Sequence, residues 1–111
     1  MSKPVDLTNL REMTDGDKPL ERELFSEFML SSEHTIKLMH EACIRDEKEQ
    51  WHEQAHAFKG VALNLGAMEL GELCKQGQEA DEAPMKEKAR LLDEIIKEYD
   101  RVKDYLLKEV A

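Results

Sequence analysis

From Met85 almost to the end of the chain, apolar residues recur at helical spacing: Met85, Ala89, Leu92, Ile96, Tyr99, Leu106 and Val110. A stripe of that length and period is buried by an α-helix and by nothing else. The same period appears upstream, and no stretch alternates apolar and polar residues as a half-buried strand would. Glycine and proline, which interrupt helices, number only 5 and 3 in 111 residues. The chain is predicted to be all-α. Four amphipathic helices with short connections form an up-and-down four-helix bundle, here with a short additional N-terminal helix. The length suits one domain with one core.

Punctuation along the chain sets the expected boundaries. Leu7, Leu10 and Met13 share a face of a short helix, which Thr14-Asp15-Gly16 ends, so residues 1–16 form an N-terminal segment and 17–111 the bundle. Asp17 can cap the next helix, with Pro19 in its first turn. Leu20, Leu24 and Phe28 follow at helical spacing. Ser31-Ser32 predicts a break or kink, with Ser32 capping a helix that carries Ile36, Met39 and Cys43. Asp46-Glu47-Lys48-Glu49 reads as a capping box opening a central helix. Gly66 has the position of a left-handed C-terminal residue. Ala67 to Glu79 forms the next helix, with Leu70, Leu73, Cys74 and Gly77 inward. Ala80 to Ala83 is a turn, and Pro84 opens the last helix.

Charge and cysteine usage exclude several classes. The formal net charge is −9, divided almost evenly between the two halves, and there is no basic stripe. A nucleic-acid partner or an anionic membrane surface is not expected. No apolar run reaches membrane-spanning length, and the first residues of the sequence lack the apolar core of a signal peptide. Cys43 and Cys74 lie far apart at apolar helical positions, which predicts reduced, buried thiols and a cytoplasmic protein. The initial methionine and single-domain length favour a free-standing protein over the excised end of a hybrid kinase, and the sequence leaves that choice open.

The segment from His56 to Gly66 carries the chemistry. Trp51, Ala55, Phe58, Ala62 and Leu65 fall on one side of the central helix, at about 100° per residue. His52, His56, Lys59 and Leu63 fall on a flank roughly 120° away, with Gly60 at its edge. His56 is thus placed toward solvent beside the core. A surface histidine usually has no role, and His34 and His40 are read that way. Lys59 alone would be a solvated charge, and Gly60 alone a packing glycine at a helix crossing. Mid-helix glycine costs about 1 kcal/mol relative to alanine, so it needs a reason. Together the three meet one demand. Phosphoryl transfer needs a nucleophile in line with phosphorus and a positive charge on the oxygens. A bare glycine beside the nucleophile lets another protein's active site approach.

His56-Ala57-Phe58-Lys59-Gly60-Val61-Ala62-Leu63-Asn64-Leu65-Gly66-Ala67 resembles the signature of histidine-containing phosphotransfer (HPt) domains of two-component phosphorelays. The resemblance extends in helix order and length from about Asp17 to Val110. Val61 departs from it, since the family prefers a small residue there. The resemblance implies that His56 is phosphorylated on Nε2, relaying the group between receiver-domain aspartates, and that Lys59 pairs with the phosphate oxygens. It implies a supporting polar role for Gln78 near the imidazole, and a docking surface that includes His52 and Leu63. It further implies no kinase activity and no cofactor of the domain's own. Mg2+ is expected in the partner receiver domain. The implied partners are response-regulator receiver domains, of a hybrid sensor kinase and of a downstream regulator. A monomer is expected, because one face must stay free for docking.

His52-Glu53-Gln54-Ala55-His56 also matches the H-E-x-x-H zinc-protease pattern. A zinc hydrolase needs a third ligand and a substrate cleft. Glu72 or Glu79 can be nominated, but 111 residues leave little room for a second lobe. Incidental zinc or nickel binding by the pair is a weaker demand than catalysis. A non-catalytic helical adaptor is the third reading, and it gives Lys59 and Gly60 no task.

Overall fold

A computed structural model describes residues 3–110. It contains five α-helices: α1 (Thr8–Thr14), α2 (Lys18–Arg45), α3 (Lys48–Leu65), α4 (Met68–Glu79) and α5 (Met85–Glu109). Among the described residues there is no strand. Helix α3 packs against α2 and α4, and α5 packs against α4 and α2, which closes a four-helix ring; α1 leans on α2. The fold is the predicted up-and-down bundle with a short N-terminal helix. No helix among the described residues is long and apolar enough to cross a membrane.

The core explains the helix faces. Trp51, Ala55, Phe58, Ala62 and Leu65 are all buried on α3, as the spacing predicts. Phe28 of α2 and Phe58 of α3 meet Tyr99 of α5, with ring centroids 6.1 and 6.4 Å apart. Leu70, Cys74 and Gly77 of α4 point inward, while Leu73 is only partly buried. Both cysteines are free and buried.

The N-terminal segment joins the same core through Val5, Leu7 and Leu10. Its anchor is Gly66, the C-cap of α3, whose carbonyl accepts the Asp6 N–H at 2.9 Å. Gly66 has φ 101°, and a Cβ there would lie 2.0 Å from the Asp6 carbonyl oxygen. Position 66 therefore requires glycine both for its left-handed backbone and for the close crossing.

Several boundaries differ from the sequence reading. Helix α2 runs unbroken for 28 residues through Ser31-Ser32. Ser32 is not a cap; it is buried in the helix interior, on the face that also buries Phe28, Thr35 and Met39. Packing of that face outweighs serine's preference for a helix end. Asp46 does not open α3 either. It closes α2 in the left-handed conformation, φ 55° and ψ 43°, its N–H reaching the Ala42 and Cys43 carbonyls. An aspartate tolerates that conformation at modest cost, so the chain reverses across Asp46 and Glu47 alone. Glu47 is the N-cap of α3 and makes no side-chain cap bond. Pro84 stands one residue earlier than predicted, as the N-cap of α5.

Four apolar assignments also shift. Met13 and Leu20 are exposed, at 74% and 37%. In place of Leu20 the helix buries Glu21, which accepts a hydrogen bond from Thr14 and pairs with Arg11 and Lys18. On α5, Met85 and Ala89 lie outside the core, and the buried stripe begins at Lys88. The Lys88 ammonium donates to the Asp81 carbonyl at 2.7 Å and lies 5.6 Å from the Trp51 ring centroid. A lysine is admitted to the core because its head has both an acceptor and an aromatic face.

Candidate functional site

Burying Trp51, Ala55 and Phe58 turns the next flank of α3 outward. His56 is exposed there, Lys59 is half-buried one turn on, and Gly60 is exposed beside them. Among the described residues, His56 and Lys59 have no hydrogen-bond or ion-pair partner. The imidazole and the ammonium are free to meet a group arriving from solvent.

The glycines on this hairpin differ in what surrounds them. A Cβ at Gly60 would meet nothing within 4 Å. No neighbouring helix crosses there, so internal packing does not account for Gly60. A Cβ at Gly71 would stand 2.5 Å from Leu63 Cδ2, and one at Gly77 would stand 3.5 Å from Ile95 Cδ1. Those two are packing glycines. Leu63 is 40% exposed, with the remainder of its side chain seated against α4.

His52 lies one turn before His56 but in a different setting. Its Nδ1 is 3.2 Å from the Gln78 backbone carbonyl and 3.4 Å from Asp81 Oδ2. The Gln78 side-chain nitrogen is 3.5 Å from His52 Nε2. Gln78 thus meets His52 rather than His56, and its Oε1 is buried without a partner. The end of α4 is held against α3 by a second bond, from the Trp51 indole N–H to the Gly77 carbonyl at 2.7 Å. Asp81 and Lys88 were not singled out from sequence. Both act across helices, and the only sequence signal is a lysine at a position whose neighbours are apolar. His34 and His40 are exposed on α2.

A shallow apolar groove of about 350 Å³ lies between α1, α2 and α3. Leu10, Met13, Leu24, Phe28 and Val61 line it. By helical rotation its α3 residue Val61 lies about 140° round the helix from His56, whereas Leu63 lies within about 20° of His56. Among the described residues, no three of His, Cys, Asp and Glu are grouped to hold a metal ion. The zinc-hydrolase reading therefore lacks its third ligand, and neither Glu72 nor Glu79 supplies it.

The Hpt domain family model matches residues 23–105. The chain is similar in structure to histidine-containing phosphotransfer protein B (HptB) from Pseudomonas aeruginosa PAO1, with a TM-score of 0.87 and 24% identity. That match covers 99% of this chain and 96% of the other. Comparison with curated proteins gives no match. The chain belongs to the Hpt domain family, the histidine phosphotransfer domains that carry phosphoryl groups in phosphorelays.

Proposed function

We propose that His56 is the phosphorylated residue and relays the group between aspartates of two receiver domains. The observation that carries this reading is an exposed, unpartnered imidazole next to a glycine whose missing side chain faces open space. In the forward step the His56 Nε2 lone pair attacks phosphorus of a receiver aspartyl phosphate. The N–P bond forms, the P–O bond to the aspartyl carboxylate breaks, and the carboxylate leaves with the electron pair. The reverse reaction with a second receiver regenerates the imidazole. The Lys59 ammonium pairs with the phosphoryl oxygens, a task for a mobile point charge.

Metal and acidic residues belong to the receiver, which supplies Mg2+. The domain needs no cofactor and has no kinase activity of its own. The donor is the receiver of a hybrid sensor kinase and the acceptor that of a downstream regulator, all cytoplasmic. The partner contacts the exposed part of Leu63, two turns along α3 on the same face as His56. His52 supports the docking surface from its anchored position at α4. A monomer leaves that surface open.

The test is incubation with a phosphorylated receiver domain. The expected result is an acid-labile, base-stable label on the wild type and none on His56→Gln, whose fold stays intact. Lys59→Ala is expected to slow transfer or shorten the phosphohistidine lifetime without abolishing receiver binding. Full labelling of His56→Gln, or labelling at His34, His40 or His52, overturns the assignment.

A further inference from the structure

His52 does not enter the transfer chemistry, yet its ring is held in one orientation on the same flank as His56. Nδ1 faces only acceptors, the Gln78 carbonyl at 3.2 Å and the Asp81 carboxylate at 3.4 Å. In the neutral ring the proton is therefore on Nδ1 and the lone pair on Nε2. The one group near that lone pair is the Gln78 amide nitrogen at 3.5 Å, a long contact that is easily displaced. A histidine that donates one ring N–H to a carbonyl and a carboxylate while presenting the other nitrogen is arranged as metal-ligating histidines are. His56, four residues on, has no partner among the described residues. Side chains at i and i+4 stand about 6 Å apart at Cβ, close enough for both rings to reach one ion at about 2.0–2.1 Å. The depression at His52 is also lined by Glu49, Glu53, Asp81 and Glu82, against one lysine, Lys48. Its field favours a cation.

We propose that His52 and His56 chelate one Zn2+ ion, with Asp81 as outer-shell partner, and that the bound ion withdraws His56 from phosphoryl transfer. With no third protein ligand among the described residues, water fills the other positions. The ion is exchangeable and non-catalytic. A zinc–nitrogen bond uses the lone pair that attack on phosphorus requires, so the metal and the phosphoryl group exclude each other at His56. The inhibitory half of the proposal rests on the assignment of His56 above; the binding half does not.

The first experiment titrates the full metal-free chain with zinc chloride in a calorimeter. One ion per chain is expected. Affinity should fall by about tenfold or more in His52→Gln and in His56→Gln, and by a smaller factor in Asp81→Asn, while His40→Gln is unchanged. Circular dichroism checks that each variant folds. Equal affinity in His52→Gln and wild type overturns the site. The second experiment measures phosphoryl acceptance from a receiver with and without zinc, as a ratio within each variant. Zinc at about ten times its dissociation constant is expected to slow the wild type about tenfold, in proportion to the fraction of chain left metal-free, and to leave His52→Gln unaffected. A direct effect of zinc on the receiver would appear in both, so equal slowing overturns the regulatory half. If neither protein accepts phosphate without zinc, the His56 assignment and the inhibition built on it both fail, and calorimetry still decides the metal site.

Discussion

Leu63 of α3 lies across Gly71 of α4 so closely that a Cβ at position 71 would stand 2.5 Å from Leu63 Cδ2 and 2.9 Å from its Cγ. An apolar residue of the proposed docking surface is thus positioned by a glycine on the neighbouring helix. Gly71→Ala should gain up to about 1 kcal/mol of helix propensity and lose about 1–3 kcal/mol to overpacking. The expected net effect is destabilisation. In a Leu63→Ala background the obstacle is gone, and Gly71→Ala should become stabilising by up to about 1 kcal/mol. Urea unfolding of the four proteins in the cycle reads this change of sign. The same effect of Gly71→Ala in both backgrounds would show that Leu63 is not what position 71 accommodates.

The two thiols should be inert in the native state. Burial pushes the Cys74 thiol up to about 12 and raises that of Cys43 as well. Cys43 also donates to the Met85 carbonyl, 3.5 Å away. The reactive species is the thiolate. A thiol-specific disulfide reagent at pH 8 should therefore label neither cysteine until denaturant is added, and both afterward. Rapid labelling of the folded chain would mean that the α4 core opens readily.

Glu33 supplies a pH-dependent link between α2 and α5. The Tyr99 hydroxyl donates to its carboxylate at 2.6 Å, and the Lys103 ammonium does so at 2.9 Å. These bonds, the tyrosine's first, hold the Glu33 carboxyl below its ordinary 4.5. The folded value lies below the unfolded one, so the contribution is full above about 4.5 and is lost as pH falls through the folded value. Tyr99→Phe keeps the ring between Phe28 and Phe58 but removes the main donor. Its carboxyl titration, followed by NMR, should move up toward 4.5, and its stability deficit should shrink in acid. An unchanged Glu33 midpoint would rule out Tyr99 as the cause.

How much of this was legible in the sequence depends on whether a residue's surroundings are local. The core face of α3 follows from the spacing of Trp51, Ala55, Phe58, Ala62 and Leu65, because one helix buries one stripe. Gly66 follows from its place at the end of that stripe. The unbroken course of α2 does not, because Ser32 is a good cap in isolation and only the helices packed on it decide otherwise. Asp46 had two uses, cap or left-handed turn, and the tight reversal into α3 selects the second. The exposed flank bearing His56 and Lys59 was readable for the same reason as the core face opposite it. The attachment of Gln78 to His52 was not, since it joins two helices whose relative height no single-helix pattern fixes. Lys88 escaped because a lysine in an apolar stripe reads as solvent-facing until Trp51 and the Asp81 carbonyl are beside it.

Gly60 separates access from stability. With nothing within 4 Å of an added Cβ, Gly60→Ala meets no steric objection and should stabilise the bundle by up to about 1 kcal/mol. Gly60→Glu should also fold, since its side chain extends into solvent from an exposed position. The two should differ in transfer. Alanine places one methyl beside His56 and is expected to slow phosphoryl acceptance modestly. Glutamate adds bulk and a negative charge where phosphoryl oxygens must pass, and is expected to accept poorly. Thermal melts and transfer rates on the same two preparations decide the matter. If Gly60→Glu unfolds the protein, position 60 has a packing role that the open space around it does not reveal. If it folds and accepts phosphate at the wild-type rate, close approach of a partner is not why a glycine stands there.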